Sequence, residues 1–277
     1  MERIALFGAG GKMGLRCARN LVESSYEVDY VEISPDGVKR LEGIGVAPTP
    51  AAEAAERADV VILAVPDRVM GRVAADVVPR MKDGSFVMIL DPAAPHGGKI
   101  PEREGVGVFV THPCHPPVVN DETDIDAKRD FYGGSKAKQA IVCAIYRGDE
   151  AIYATGEAVA RRIFAPVMKS HRITVEQMAV LEPAMAETVT LTLMYTMREA
   201  MDEAIRAGVP EDAARDFMLG HINVNIGILF GYLGIDVSDG AKRAVERGRR
   251  QILRDDWREV FRPERVMAEV RAIVEAE

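Results

Sequence analysis

The chain has 277 residues, of which 48% are hydrophobic and 28% are charged, the composition of a globular protein with more than one domain. Its 35 basic and 43 acidic residues give a formal net charge of −8, which argues against a nucleic-acid partner. Glutamates or glycines interrupt the weakly charged stretches, so we expect no membrane span. Three cysteines without framework spacing, and a strand that leaves no room for a signal peptide, predict a cytoplasmic protein.

The first hundred residues alternate between strand and helix patterns. Apolar runs predict strands at residues 3–7, 28–33, 59–65, 85–90 and 106–110, with a weaker strand near Val46. Helical patterns lie between most of them. This alternation predicts a doubly wound parallel sheet, an α/β Rossmann domain over residues 1–117. Ligands of such sheets bind beyond the carboxyl ends of the strands, where the candidate loops of this domain lie.

A glycine-rich loop follows the first strand. Gly8 and Gly10 fit the dinucleotide-binding fingerprint, whereas Met13 occupies the third glycine position and Gly14 lies one place late. Glycines here allow a tight turn and the close approach of a pyrophosphate to a helix N-terminus, although a purely structural turn has a similar pattern. Glu32, near the end of the second strand, suits the adenosine ribose and favours NAD over NADP. We therefore expect NAD to be bound by Gly8, Gly10, Gly11, Lys12, Met13, Glu32 and Asp67.

Residues 112–117, His-Pro-Cys-His-Pro-Pro, follow the strand at 106–110 and form a second candidate site. Each histidine precedes a proline, which predicts an extended or polyproline backbone at His112 and His115. Since polyproline has three residues per turn, both imidazoles should project from the same side. The alternative is a rigid turn whose histidines bond the neighbouring backbone.

The second half, residues 118–277, is predicted to be an all-α domain. Residues 137–146 and 150–164 have helical patterns, and Lys138 lies where this domain begins. Lys138 is a candidate general acid/base if desolvation lowers its pKa, and a solvated surface lysine is the alternative. His171 is a weaker candidate for the base.

A long helix is predicted from Thr174 to Ala207. Thr174 and Gln177 have capping-box spacing, and Gly208 suits the C-terminal end of the helix. Only two glutamates carry charge between residues 178 and 197, so we expect this helix to be buried on every side. A helix so enclosed in a small domain needs a second subunit, and we therefore expect a homodimer.

Glu182 is the principal candidate metal ligand. A carboxylate in a buried helix is costly unless something pairs with it, and a salt bridge or a protonated acid is the structural alternative. Beside a kink at Pro183, Glu182 is expected to meet the His115 imidazole. A mixed histidine and carboxylate shell suits zinc with open positions, and does not exclude magnesium. Glu187, a further catalytic candidate, lies about 140° further around an α-helix and is expected on another side.

These motifs resemble those of the D-apionate oxidoisomerase family. The likeness rests on residues 8–14, 112–117, 137–143, 182–187 (Glu-Pro-Ala-Met-Ala-Glu) and 220–224 (Gly-His-Ile-Asn-Val). It implies a Rossmann domain followed by a phosphogluconate-dehydrogenase-like domain, and NAD-linked oxidation of a branched sugar acid coupled to a metal-assisted carbon-skeleton shift. A more distant similarity to β-hydroxyacid dehydrogenases implies a catalytic lysine at Lys138, although Val142 replaces the asparagine of that family.

Two other functions stay open from the sequence. One is a metal-free dehydrogenase of the β-hydroxyacid or 6-phosphogluconate type, in which His112 and His115 orient the substrate. The other is a non-enzymatic dimer that senses NAD. Paired histidines and buried carboxylates favour an enzyme over a sensor.

Overall fold

A computed structural model describes residues 2–275 of the chain. Its strands are β1 (Arg3–Phe7), β2 (Glu27–Val31), β3 (Val60–Leu63), β4 (Phe86–Ile89), β5 (Gly107–Pro113), β6 (Gln139–Arg147) and β7 (Val167–Arg172). Its α-helices are α1 (Lys12–Val22), α2 (Pro35–Glu42), α3 (Ala51–Arg57), α4 (Asp67–Val77), α5 (Ala93–His96), α6 (Ile125–Arg129), α7 (Glu150–Ile163), α8 (Val175–Ala179), α9 (Thr192–Arg206), α10 (Glu211–Leu229), α11 (Asp239–Ile252) and α12 (Pro263–Val274). A π-helix, Val180–Leu191, joins α8 to α9.

Within residues 2–275 the seven strands form one sheet, in the order β2-β1-β3-β4-β5-β6-β7. β1 pairs in parallel with both β2 and β3, and β3, β4 and β5 continue in parallel. β2 lies on one side of β1 and β3 on the other, so the strand order reverses at β1. This reversal creates a topological switch point at the carboxyl end of β1, where doubly wound sheets bind ligands. The predicted architecture, a Rossmann domain followed by a helical domain, is confirmed.

Apolar cores cover both faces of the sheet. Leu21 of α1 and Ile163 of α7 pack in one core, and Met70 of α4 and Met178 of α8 pack in the other. All four residues of β3 are fully buried, as expected for a parallel strand between two helical layers. This packing holds the strand ends rigidly.

The segment predicted as a helix at residues 137–146 is instead strand β6, and that prediction was wrong. β6 runs antiparallel to β5, and β7 pairs in parallel with β6 at the sheet edge. Ile141 packs in one core and Val142 in the other, so both faces of the strand are apolar. A short apolar run of this kind fits a buried strand or a buried helix equally well, and pairing with β5 decides between them.

The weak strand predicted near Val46 is not formed in the described part of the chain, where residues 46–50 have no regular structure. Pro48 and Pro50 lack the amide hydrogens that strand pairing needs. The helix α3 follows directly. Val46 packs against the α1 core from an irregular segment.

The described chain divides into two compact units, residues 2–182 with 267–275, and Pro183–Val266. The domain boundary expected after Pro117 lies inside the first unit, because β6 and β7 extend the sheet beyond that point.

The long helix predicted from Thr174 changes its winding. The capping box of Thr174 and Gln177 is formed, and Gly208, with φ +99°, follows the helical end. Between these points the chain becomes a π-helix that contains Pro183, which supplies no amide hydrogen. The hydroxyl of Thr188 donates to the Pro183 carbonyl five residues back, at 2.7 Å. The prediction that Glu187 lies on another side than Glu182 assumed the roughly 100° per residue of an α-helix. That angle does not apply to a π-helix.

The expectation that this helical stretch is buried on every side was wrong for the single chain. In α9, Met201 is the buried residue, while Leu193, Met194 and Tyr195 are between 37% and 64% exposed. The described chain therefore leaves apolar side chains of α9 uncovered. No helix among residues 2–275 is both long enough and apolar enough to cross a lipid bilayer.

Candidate active site

The loop after β1 presents backbone amides at the switch point. Gly8 has φ +71°, and a Cβ there would lie 2.5 Å from the Ala64 carbonyl oxygen. A Cβ on Gly10 would lie 2.4 Å from the Gly37 carbonyl oxygen. These close approaches to other backbone segments require glycine at both positions. Gly11, the N-cap of α1, makes no side-chain cap, so the first-turn amides of α1 suit an anion.

Gly14 accounts for the departure from the dinucleotide fingerprint. A Cβ on Gly14 would lie 2.0 Å from the Gly8 carbonyl oxygen, closer than any real contact. Gly14 thus allows α1 to pack against the loop, which is the role of the third glycine in the fingerprint. Met13 instead packs its side chain against the apolar core beside α1.

The Glu32 carboxylate lies against this loop. It accepts hydrogen bonds from the amides of Gly10 at 2.9 Å, Ile33 at 2.9 Å and Ser34 at 2.8 Å. Burial acts to raise the pKa of Glu32, but these amides outweigh it and hold the pKa below its usual value. The carboxylate is therefore ionised at neutral pH. Its fourth lone pair, on Oε2, is not used by these three amides.

His112, at the end of β5, pairs with Glu182. Its Nδ1 lies 2.8 Å from the Leu90 carbonyl oxygen, which only accepts, so Nδ1 carries the proton. Its Nε2 lies 3.4 Å from Oε2 of Glu182. In a neutral imidazole this Nε2 is a lone pair facing a carboxylate, which is repulsive. A proton or a cation between these two atoms would make the contact favourable.

Two further carboxylates surround this pair. Asp91 follows β4, and its Oδ2 lies 4.0 Å from Nδ1 of His112. Burial raises the pKa of Asp91 to about 6; the nearby carboxylates of Asp67 and Glu182 act in the same direction, against the opposing effect of His112. Burial also raises the pKa of Asp67, at the start of α4. Several carboxyl groups near one imidazole favour the binding of positive charge at the carboxyl ends of β3, β4 and β5.

His115 has a backbone that the sequence did not predict. Its φ is +61°, in the left-handed region, so the expected polyproline geometry is wrong at this residue although proline follows. A hydrogen bond from its Nδ1 to the Tyr132 carbonyl, at 2.9 Å, holds the imidazole in place. The rings of His112 and His115 lie edge to face, with centroids 6.1 Å apart. Strained backbone of this kind is typical of functional sites.

The structure thus brings His112 to Glu182, whereas His115 contacts Tyr132. Both histidines donate through Nδ1 to a carbonyl, which leaves both Nε2 atoms as potential metal ligands. Among residues 2–275, no group of three or more histidine, cysteine, aspartate or glutamate side chains is arranged to hold a metal ion. The predicted pairing of His115 with Glu182 stays a prediction.

The other predicted catalytic residues lie on separate elements. Lys138 is exposed, and its amide donates to Oε1 of Glu122 at 2.8 Å, one residue before β6. His171 is exposed on the edge strand β7. Glu187 is exposed on the π-helix, in the second compact unit. Their catalytic roles stay predictions.

Sequence reasoning did not select Asp91 or Tyr132. The sequence could have indicated Asp91, because this residue follows a parallel strand at the edge where such sheets bind ligands. No sequence pattern indicates Tyr132, since it lies in an irregular segment and contacts its partners only in the folded protein.

Fold and site together define a class. A doubly wound sheet with a glycine loop at its switch point, and titratable groups at neighbouring strand ends, is the arrangement of a nucleotide-dependent oxidoreductase. Residues 1–122 match the NADPH-binding domain of acetohydroxy acid isomeroreductases, and residues 120–274 match the C-terminal domain of decarboxylating phosphogluconate dehydrogenases.

Two curated relatives are named D-apionate oxidoisomerase. The chain is 52% identical to the Rhizobium rhizogenes protein, over 99% of this chain and 100% of that one. It is 49% identical to the Cupriavidus necator protein, over 98% and 99%. The chain belongs to the D-apionate oxidoisomerase family, as its motifs indicated, and it is an oxidoreductase. Family membership favours an enzyme over the non-enzymatic sensor.

Solved structures agree with this assignment. A semialdehyde dehydrogenase NAD-binding protein from Cupriavidus necator, in complex with calcium and NAD, is 48% identical, with a TM-score of 0.96 and 99% of both chains covered. An NADH-preferring ketol-acid reductoisomerase from an uncultured archean has a TM-score of 0.72 at 18% identity, over 96% of this chain and 82% of that one. The second likeness shows the fold alone.

Proposed function

We propose that this protein oxidises D-apionate, or a closely similar branched sugar acid, with NAD and couples the oxidation to an α-ketol rearrangement assisted by a divalent cation. The observation that carries the proposal is the contact of Glu182 with His112, at the sheet edge where the glycine loop also lies, in a chain 52% identical to a D-apionate oxidoisomerase. We also propose a cytoplasmic location, which the free cysteines of the described chain support.

The residues of the glycine loop fit a dinucleotide. Gly8, Gly10 and Gly14 allow close backbone approach, and the uncapped start of α1 suits a pyrophosphate. The ionised Glu32 carboxylate suits an adenosine ribose hydroxyl and repels a 2′-phosphate. These contacts support NAD over NADP. When bound, NAD accepts the hydride from the substrate carbon.

The His112–Glu182 pair fits a divalent cation. Nε2 of His112 and Oε2 of Glu182, 3.4 Å apart, are the atoms that would hold the cation. The Nε2 of His115 is the predicted further ligand, and zinc or magnesium is the proposed ion. A cation bound there stabilises negative charge that develops on substrate oxygens.

The side chains of this protein position the reacting groups. The Leu90 carbonyl fixes the His112 tautomer, and Glu182 supplies the counter-charge for positive charge at Nε2. Oxidation removes the proton of a substrate hydroxyl and transfers a hydride from the carbon that bears this hydroxyl. We propose Lys138 as the proton acceptor, because it precedes β6 at the end of the sheet where Pro113 pairs with Ile141. His171 and Glu187 are the other proposed acid/base groups.

The same pair supports a second mechanism. A protonated His112 next to Glu182 satisfies the geometry without a metal ion, as in a metal-free β-hydroxyacid dehydrogenase. One experiment tests both mechanisms: D-apionate and linear aldonates are incubated with the protein and NAD, absorbance reports NADH, and NMR identifies the carbon skeleton. We expect NADH and a rearranged product from D-apionate, with both lost after chelation and restored by a divalent cation. Unrearranged product that persists after chelation supports the metal-free mechanism, and no NADH from any acid contradicts the proposal.

We further propose that the protein is a homodimer. In the second compact unit, large apolar side chains on or after α10 and α11 are exposed, including Phe217 at 69%, Phe230 at 75% and Ile252 at 66%. An apolar surface of this extent is typical of a subunit interface. We expect light scattering to give twice the chain mass at micromolar concentration, and Phe230→Asp to favour the monomer. A wild-type monomer contradicts this proposal.

A further inference from the structure

Tyr132 contacts both candidate sites of the first compact unit. It lies in the irregular segment between α6 and β6, and its hydroxyl accepts a hydrogen bond from Nζ of Lys12, the first residue of α1. Nζ of Lys12 is also 4.3 Å from the centre of the Tyr132 ring, and the guanidinium carbon of Arg16 is 4.0 Å from it. The side chains of Lys12 and Arg16 therefore both contact the phenol ring of Tyr132.

The same residue holds His115. Its carbonyl accepts the hydrogen bond from Nδ1 of His115 at 2.9 Å, and the two rings lie edge to face with centroids 5.7 Å apart. The left-handed backbone of His115 is thus accompanied by two contacts to a single residue. Any displacement of Tyr132 therefore changes the orientation of this imidazole.

The segment around Tyr132 is fixed at both ends. Asp130 accepts hydrogen bonds from the amides of Gly133, Lys136 and Ala137, at 3.1, 2.8 and 3.1 Å. Nδ2 of Asn20 on α1 donates to the carbonyl of Gly134, two residues after Tyr132, at 3.1 Å. Lys12, Arg16 and Asn20 are spaced by four residues, so one face of α1 binds this segment. Tyr132 is therefore attached to a helix rather than free in a mobile loop.

From this placement we propose that Tyr132 is a positioning residue that couples occupancy of the nucleotide site at α1 to the orientation of His115. The proposal rests on the proposed function, in which the pyrophosphate of NAD binds at the start of α1, where Lys12 is the first residue. A pyrophosphate that draws Lys12 towards it changes the hydrogen bond to the phenol, and the ring then transmits the change to His115. The lowered pKa of the Tyr132 hydroxyl, caused mainly by the Lys12 hydrogen bond, is consistent with this strong contact.

The test uses full-length protein with labelled histidine. Nitrogen NMR reports the Nδ1 proton of His115, and calorimetry measures NAD affinity. In the wild type we expect NAD to shift the His115 signals. Tyr132→Ala keeps the main-chain carbonyl that accepts from His115 but removes the ring contacts to His115 and to Lys12 and Arg16. In this variant we expect NAD affinity about tenfold weaker and His115 signals that are altered without NAD and unresponsive to it. Tyr132→Phe keeps the ring and loses the hydroxyl, so we expect His115 signals like those of the wild type without NAD and a smaller response to NAD.

Tyr146→Ala is the matched control, because Tyr146 is 38% exposed against 43% for Tyr132 and also lies near an arginine, Arg147. We expect it to match the wild type in both measurements. Tyr132→Ala with His115 signals and NAD affinity equal to those of this control overturns the proposal. A wild type that does not bind NAD instead contradicts the proposed function, and the His115 signals without NAD still show whether Tyr132 holds the imidazole.

Discussion

Glu182→Gln is expected to lower kcat by at least about 100-fold while NAD affinity stays within about threefold of the wild type. The amide keeps the shape of the side chain but loses the negative charge that faces Nε2 of His112 at 3.4 Å. A neutral amide neither balances an imidazolium nor holds a divalent cation as a carboxylate does. The measurements are steady-state kinetics with the acid that gives NADH, and calorimetric titration with NAD.

Glu104→Gln is the control for this charge removal. Glu104 is exposed in the loop before β5, at the opposite end of that strand from His112. It should retain wild-type kcat. If Glu182→Gln loses NAD affinity in parallel with turnover, Glu182 is structural and the proposed mechanism is wrong.

Single alanine variants of the two histidines distinguish their contributions. His112→Ala is expected to lose as much kcat as Glu182→Gln, because it removes the other member of the same pair. The double variant His112→Ala with Glu182→Gln should then lose little more than either single variant. His115→Ala with undiminished kcat would exclude His115 from the metal site and leave His112 as the imidazole partner of Glu182.

Gly14→Ala is expected to lower the free energy of unfolding by about 2–4 kcal/mol and to weaken NAD binding more than tenfold. Alanine normally stabilises a helix interior relative to glycine. Here its Cβ would lie 2.0 Å from the Gly8 carbonyl oxygen, so either α1 or the glycine loop must shift. Urea denaturation and NAD titration measure the two effects.

Gly248→Ala is the opposite case in the same protein. Gly248 lies inside α11, and a Cβ there meets nothing within 4 Å. This variant should raise the free energy of unfolding by about 0.5–1 kcal/mol and leave NAD binding unchanged. If the two alanine variants shift stability in the same direction by similar amounts, the close approach of α1 to Gly8 is wrong.

The local elements with strong patterns could be predicted from the amino-acid sequence alone. The strand, glycine loop and helix at residues 3–22 were predictable because turn geometry, helix start and apolar pattern all favour one conformation. The capping box at Thr174 and the left-handed Gly208 were predictable for the same reason, as each depends on neighbours within a few residues. Glu32 and Glu182 were also selected from sequence, one by its distance from the loop and the other by its apolar surroundings.

Which groups come into contact depends on the packing of distant segments. The apolar run of β6 fits two conformations, and its pairing with β5 selects the strand. The proline after His115 predicts an extended backbone at this residue. In the structure its backbone is left-handed, and its imidazole is hydrogen-bonded to the Tyr132 carbonyl. His112 lies 3.4 Å from Glu182, and the ends of β4 and β5 place the Leu90 carbonyl beside His112. Contacts between distant segments depend on how the elements pack, and no local pattern encodes that packing.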